Sequence, residues 1–308
     1  MLKSAMLELL PVRPHLEDRV DSHHRAEVRT KTALVLGGGG SLGAVEAGFI
    51  RRLMELNVHF DLMVGTSVGA LNAAHVAFHD DKSHDCLSDI WLGLAGKRLY
   101  SRNPWSVASG LWRSRLSLFG NKFLQDLIAR HLKEDRFESA RVPLHITATD
   151  ICSGERRVFS EGSISRAILA STAIPGIFPP VEIDGRMYVD GGVTSGGDIA
   201  VAIDKGATAV VYIDLRPTVQ VRCPRNILEL VTRSFEILAG DRAACAIEHR
   251  RYEADIVHIQ PGLIGTRGDF SDAPRLLKQS YSMACDIFDR CHSAGSFRPG
   301  HYHASLES

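Results

Sequence analysis

The stretch LVLGGGGSLGAVEAG, residues 34–48, sets the terms for the rest of the chain. A short apolar run stops at four consecutive glycines, and the residues that follow take helical spacing, with Val45, Phe49, Leu53 and Leu56 on one side. Side chains are kept off a backbone where something must come close to it, and a phosphate and a reacting carbonyl oxygen both qualify. Gly38, Gly40 and Gly43 spell the G-x-G-x-x-G of a dinucleotide site. Such a site also wants an acidic residue ending the second strand, about 20 residues on. Asp61 precedes the strand DLMV (61–64) instead of closing it, and a glycine–serine turn occupies the strand's end.

That turn is Gly65-Thr66-Ser67-Val68-Gly69, a G-x-S-x-G between the strand and VGALNAAHVAF (68–78), a nearly all-apolar helix. In a nucleophile elbow the serine sits on a strained turn, and the flanking Gly65 and Gly69 prevent collisions there. Its oxygen is lifted to the helix N-terminus, where negative charge is favoured. The plainer reading is a glycine-bounded turn whose Ser67 caps the helix. With a nucleophile at Ser67, the glycine loop would face it across adjacent strand ends and supply amides to the oxyanion of acyl transfer.

A serine nucleophile needs a base. Among 14 histidines, His145 and His258 fall inside strand patterns and His249 inside a helix. Asp190, in MYVDGGVTSGG, closes a hairpin strand with two glycines after it, although Asp-Gly is also ordinary turn chemistry. Histidine and aspartate both stay open at this point.

The rest of the chain alternates strand-like and helix-like segments, which predicts α/β layering. Further strands are expected at 144–150, at 207–215 after a helix capped by Gly206, and at 255–261; helices are expected over 226–252 and 273–291. PVEIDGRMYVD reads as a hairpin turning at Asp184-Gly185. Residues 1–31 and 292–308 are polar and aperiodic and read as an N-terminal extension and a C-terminal tail around a catalytic domain at 32–291. Lys plus Arg equals Asp plus Glu at 36 each, which argues against a nucleic-acid binder. The six cysteines are scattered without a C-x-x-C pair, so no zinc site is expected and reduced thiols in a cytoplasmic protein are. No signal peptide is read at the N-terminus, and no apolar run reaches the roughly 18 residues of a spanning helix.

Gly38-Gly39-Gly40-Ser41-Leu42-Gly43, Gly65-Thr66-Ser67-Val68-Gly69 and Asp190-Gly191-Gly192, in this order, together resemble the patatin-like phospholipases. ILASTAIPGIFPPVEIDGRMYVDGG (168–192) resembles that family's approach to its Asp-Gly-Gly/Ala motif, and the likeness spans roughly residues 32–215. The resemblance implies one three-layer α/β/α domain with a mainly parallel central sheet. It implies a lipid acyl hydrolase with a Ser–Asp dyad, no catalytic histidine, no metal and no organic cofactor. Ser67 would be the nucleophile, Asp190 the base, and the Gly38, Gly39 and Gly40 backbone the oxyanion hole. An α/β-hydrolase esterase with a histidine base and a non-catalytic lipid-binding scaffold are the alternatives.

Two departures stand out. Leu42 takes a place where many members carry Arg or Lys, so a fixed cation near the oxyanion is missing; and Thr194-Ser195-Gly196-Gly197-Asp198 replaces an Asn-x-Pro-like turn. The basic, aromatic-rich segment 103–124 carries Trp105, Trp112 and Phe119 seven residues apart. It reads either as a lid or membrane-surface helix giving peripheral contact with lipid, or as a subdomain with its aromatics in the core.

Overall fold

The computed structural model describes residues 30–79, 84–97, 116–132, 134–195, 198–216, 223–225, 227–262, 269–293 and 300–303. Nine strands form one sheet: β1 Thr32–Leu36, β2 Leu62–Thr66, β3 Leu144–Asp150, β4 Arg156–Phe159, β5 Val181–Ile183, β6 Arg186–Asp190, β7 Ala209–Ile213, β8 Asp255–Gln260 and β9 Gly300–His303. Their order is β5-β6-β3-β2-β1-β7-β8-β9, with β4 paired to β3 beside that path. Five neighbouring pairs, from β3-β2 across to β8-β9, run parallel, and the β4, β5 and β6 pairings are antiparallel.

Strands of a sheet covered on both faces read as near-continuous apolar runs, and that is why TALVL carries no alternation. The pleat sends Leu34 and Leu36 to one face and Ala33 and Val35 to the other. The first face packs on α1 (Gly43–Glu55), α2 (Val68–Phe78), α3 (His84–Gly93), α4 (Lys122–His131), α5 (Ile164–Ser171) and α8 (Ala273–Ser293). The second packs on α6 (Ile199–Asp204) and α7 (Ile227–Arg250), through residues such as Ile199, Val201, Ala243 and Ile247. The result is the three-layer α/β/α arrangement with a mainly parallel sheet that the resemblance implied.

β3 brings two strand ends together. One of its edges is shared end to end by two strands. β2 runs parallel to it from Met63 opposite Leu144 to Thr66 opposite Thr147. β6 then runs antiparallel, with Asp190 opposite Ala148. β4 covers the other edge, where Val158 faces Thr147. The C-terminal ends of β2 and β6 therefore meet head to head on neighbouring residues of one strand.

The hairpin forms as expected, with Asp184 and Gly185 both at positive φ, 53° and 76°. Four features differ from the expected pattern. β2 runs on through Thr66, so the turn starts directly at Ser67. α3, α4, β4 and α5 lie in stretches left without assigned elements. Residues 300–303, placed in the tail, add a strand to the sheet edge beside β8. Residues 98–115, with Trp105 and Trp112, lie outside the described residues, whereas Phe119 precedes α4 in a non-helical stretch and packs against Ile177 and Phe178.

A buried polar clamp ties the first three helices. Asn72 of α2 donates to the Gly43 carbonyl at 3.0 Å and to Glu46 Oε2 at 2.7 Å, and accepts from Trp91 Nε1 of α3 at 3.1 Å. Burial pushes the Glu46 carboxyl well above its ordinary range, against the lowering effect of the Asn72 bond and a backbone bond. Asn72→Ala removes partners from both Glu46 and Trp91. Each buried polar group left unsatisfied costs about 1–3 kcal/mol, and urea unfolding should show a loss in that range or above. A loss below about 1 kcal/mol would mean that the clamp relaxes around the gap.

Candidate active site

Ser67 links β2 to α2 with φ 55° and ψ −124°, outside the region open to ordinary L-residues. A non-glycine residue held there stores about 1–3 kcal/mol of strain, which the surroundings must hold in place. They do so at close quarters. A Cβ on Gly69 would come within 2.3 Å of the Leu36 carbonyl oxygen, so only glycine lets α2 start against the end of β1. The Ser67 amide donates to Ser171 Oγ at 2.8 Å, which ties the turn to the end of α5.

Ser67 Oγ donates to Asp190 Oδ2 at 2.7 Å. The other carboxylate oxygen accepts from the Gly192 amide at 2.9 Å, and the Asp190 amide donates to the Ala173 carbonyl at 2.9 Å. Asp190 is 2% exposed and has no cation partner among the described residues. Burial raises its pKa to about 7, against the lowering effect of the Ser67 and Gly192 hydrogen bonds. The pair thus combines a hydroxyl with a carboxylate poised near neutrality, the condition for general-base work at ordinary pH.

The glycine loop runs alongside. A Cβ on Gly38 would lie 3.3 Å from the Ser67 Cβ, whereas one on Gly39 would strike the Leu215 side chain at 2.7 Å. Gly38 is therefore the loop residue that faces the serine. The amides of Gly38 and Gly39 have no protein acceptor among the described residues. Of the motif glycines, Gly65 lies against Ala70, Gly43 against Trp91, Gly191 against the Thr147 carbonyl and Gly192 against the Phe235 ring. Gly40 takes φ 58° and has open space around it.

The three histidines stand apart from the serine. His145 sits on β3 opposite Val64, three registers back from the Ala148–Asp190 pair, and burial with the nearby Lys205 and Lys31 lowers its pKa to about 4. His249 Nδ1 lies 2.7 Å from the Cys245 carbonyl within α7. His258 Nε2 lies 2.9 Å from Asp214 Oδ2.

Two polar clusters near the site were not picked out from the sequence. Behind the elbow, Thr66 Oγ1 donates to Asp198 Oδ2 at 2.5 Å, Thr147 Oγ1 bonds the same oxygen, and Arg156 approaches Asp198 Oδ1 at 3.4 Å. Asp198 belongs to the segment whose motif departs from the family pattern. At the end of β7, Asp214 is held by His258 and Arg216; their bonds outweigh burial and keep its carboxyl below the usual range. Charged residues just past the end of a parallel strand were the available signal for this second cluster, because ligands bind there in open α/β sheets.

Ser67 stands where two cavities meet. One is a cleft over Gly38, Asp190, Ser195, Arg216 and Phe235. The other is an almost wholly apolar pouch, lined by Val68, Leu71, Trp91, Leu127, Ile168 and Phe270 among others.

With this geometry in hand, the likenesses to known proteins can be placed. The model of the family described as patatin-like phospholipase matches residues 34–203. Patatin-like phospholipase domain-containing protein 7 of Mus musculus is 29% identical over 192 residues, 59% of this chain and 13% of that protein. Lysophospholipase NTE1 of Mycosarcoma maydis is 30% identical over 184 residues, 59% of this chain and 9% of that protein. An uncharacterized NTE family protein of Mycobacterium bovis is 27% identical over 231 residues, 70% of this chain and 61% of that protein. The chain therefore matches only a small part of the first two relatives and less than two thirds of the third.

The Asp190 environment makes stability depend on pH, with a definite sign. Below the unfolded value of 3.8 both states carry the proton and nothing is lost. As pH rises the unfolded chain ionises first, so stability falls until pH passes the folded value of about 7. A shift of this size corresponds to about 4 kcal/mol. Asp190→Asn removes the titration, so the stability of the variant relative to wild type should rise by an amount of that order between pH 4 and pH 8, read by urea unfolding. A difference that stays flat across that range would show that Asp190 is not buried as a raised carboxyl.

Proposed function

Because the chain belongs to the patatin-like phospholipase family, whose model covers more than half of it, we propose that it is a serine lipid acyl hydrolase working through Ser67 and Asp190. The observation that carries this reading is the 2.7 Å hydrogen bond from Ser67 Oγ to Asp190, at the junction of an apolar pouch and a wider polar cleft. Ser67 Oγ bonds to the acyl carbon while its proton passes to Asp190. The carbonyl oxygen becomes an oxyanion, to which the Gly38 and Gly39 amides donate. The tetrahedral intermediate collapses, the C–O bond to the leaving alcohol breaks, and the alkoxide takes the proton from Asp190. Water then gives a proton to Asp190 and attacks the acyl-serine, and the fatty acid leaves as Ser67 regains its hydrogen. The apolar pouch takes the acyl chain and the cleft takes the alcohol side of the ester.

Lysophospholipase NTE1 is by its name a lysophospholipase, and a single-chain lipid suits one apolar pouch. No helix among the described residues is long and apolar enough to cross a membrane. In this reading contact with a lipid surface is peripheral, and substrate is drawn from monomers, micelles or the outer layer of a bilayer.

Ser67→Ala should leave the melting temperature within a few degrees of wild type and lower kcat on a p-nitrophenyl ester by on the order of 10^4-fold or more. A fluorophosphonate probe should label wild type and not the variant; a wild-type protein that resists the probe points to the binding scaffold instead. Asp190→Asn should cost about 10^2- to 10^4-fold in kcat. In wild type, kcat/KM should rise with pH through about 7 and then level off, because the base must be ionised. A profile that is flat from pH 5 to pH 9 would remove Asp190 from the chemistry.

The two loop glycines separate catalysis from packing. Gly38→Ala crowds Ser67 and should lower kcat towards the roughly 100-fold of one lost oxyanion donor, with the fold retained. Gly39→Ala meets Leu215 and should act mainly on stability, by about 1–3 kcal/mol. The reverse pattern, measured by steady-state kinetics and thermal unfolding, would place the oxyanion elsewhere on the loop.

A further inference from the structure

We infer that Arg216, just past the end of β7, is the residue that reads the phosphate of the substrate headgroup. This rests on the hydrolase reading of Ser67.

The guanidinium is a built feature. Its Nε donates to Asp214 Oδ1 at 2.8 Å and Oδ2 at 2.9 Å, and its Nη2 bonds Oδ2 as well. Asp214, 1% exposed, is itself fixed by His258 at 2.9 Å, and the His258 ring stacks on Tyr212 at 5.0 Å between centroids. One edge of the arginine fork is thus locked, and the donors of the other edge are held in a fixed plane. That is how a guanidinium is oriented to meet a phosphate with two parallel bonds. Room is kept for it on α7, because a Cβ on Gly240 would come within 2.8 Å of Nη1.

Arg216 also stands in the right place. It lines the same cleft as Ser67, Asp190 and Gly38, with its side chain 19% exposed. Glu236, a further carboxylate on the cleft wall, is paired with Arg233 at 3.3 Å, so its charge is answered locally. Ser195 lines the cleft too; it is 2% exposed, and its hydroxyl has no hydrogen-bond partner among the described residues. A buried hydroxyl without a partner is costly unless something supplies one, and a phosphate oxygen of the bound headgroup would. The pouch, by contrast, is apolar. An ester with its acyl chain in the pouch therefore sends its headgroup towards Arg216 and Ser195.

The test compares a lysophosphatidylcholine with a monoacylglycerol of the same chain, so that only the headgroup changes. Arg216→Gln should lower the ratio of their kcat/KM values by about 10- to 100-fold, the scale of one lost charged hydrogen bond. An unchanged ratio, or the same fall on both esters, would overturn the assignment. Should Arg216→Gln fail to fold, Arg216→Lys, which keeps the charge and loses the planar fork, should still lower the ratio. A direct arm uses calorimetry on Ser67→Ala protein. Glycerophosphocholine should bind, glycerol should not, and raised salt should weaken the binding. Binding of inorganic phosphate without glycerophosphocholine, or of neither, would overturn it. Failure of the hydrolase reading looks different: wild type would cleave neither ester, yet glycerophosphocholine would still bind and would be lost in Arg216→Gln.

Discussion

A carboxylate buried without a cation is the constraint around which the site is organised. Asp190 is 2% exposed, and its partners are a hydroxyl and backbone groups. Holding a charge in such a place is unfavourable, and the raised proton affinity is the direct expression of that cost. The arrangement persists because the backbone gives Asp190 little freedom. It is fixed by its pairing with Ala148, by its amide bond to Ala173, by Thr149 Oγ1 donating to its carbonyl at 3.1 Å, and by the turn at Gly192. Ser67 is held against it by the neighbouring register pair, Thr66 with Thr147.

Three other buried acids show that the fold does not treat carboxylates alike. Glu46 has an amide for a partner, and burial pushes its carboxyl well above the usual range. Asp214 has an arginine and a histidine and is held ionised. Asp198 receives two threonine hydroxyls and lies near Arg156, beside the strand ends that carry Ser67 and Asp190. Only Asp190 combines a raised proton affinity with a bond to the serine hydroxyl. What sets Asp190 apart from the other buried acids is its partner set, not its depth of burial.

Much of this was legible in the sequence, for physical reasons that differ by element. Strands covered on both faces must be apolar throughout, so β1 and β3 stood out, and α2 was bounded at both ends by its composition. The elbow was legible because its glycines answer to close contacts that no other residue permits. What was not legible depends on long-range pairing. β4 and β9 are short edge strands whose patterns, RRVF and GHYH, carry little apolar signal. Phe119, open in the sequence to an interfacial or a core reading, lies in a small core cluster; composition alone does not distinguish a membrane face from a local pocket. The link between Asp190 and Ser67 came from motif order. Its mechanical basis, two strands sharing one edge of β3, leaves no mark in any single segment.

That shared edge turns β3 into a ruler. Side chains along a strand alternate between faces, so a shift of one residue carries a neighbour to the opposite side. The boundary between the two halves of the edge falls between Thr147, which faces β2, and Ala148, which faces β6. Loops elsewhere can lengthen without altering which atoms meet. A single residue gained or lost at that boundary would turn Asp190 away from Ser67 while both remained in the chain, each in its own intact strand or turn. The length of β3 across this point is thus as tightly constrained as the identities of Ser67 and Asp190, though Thr147 and Ala148 take no part in the bond between them.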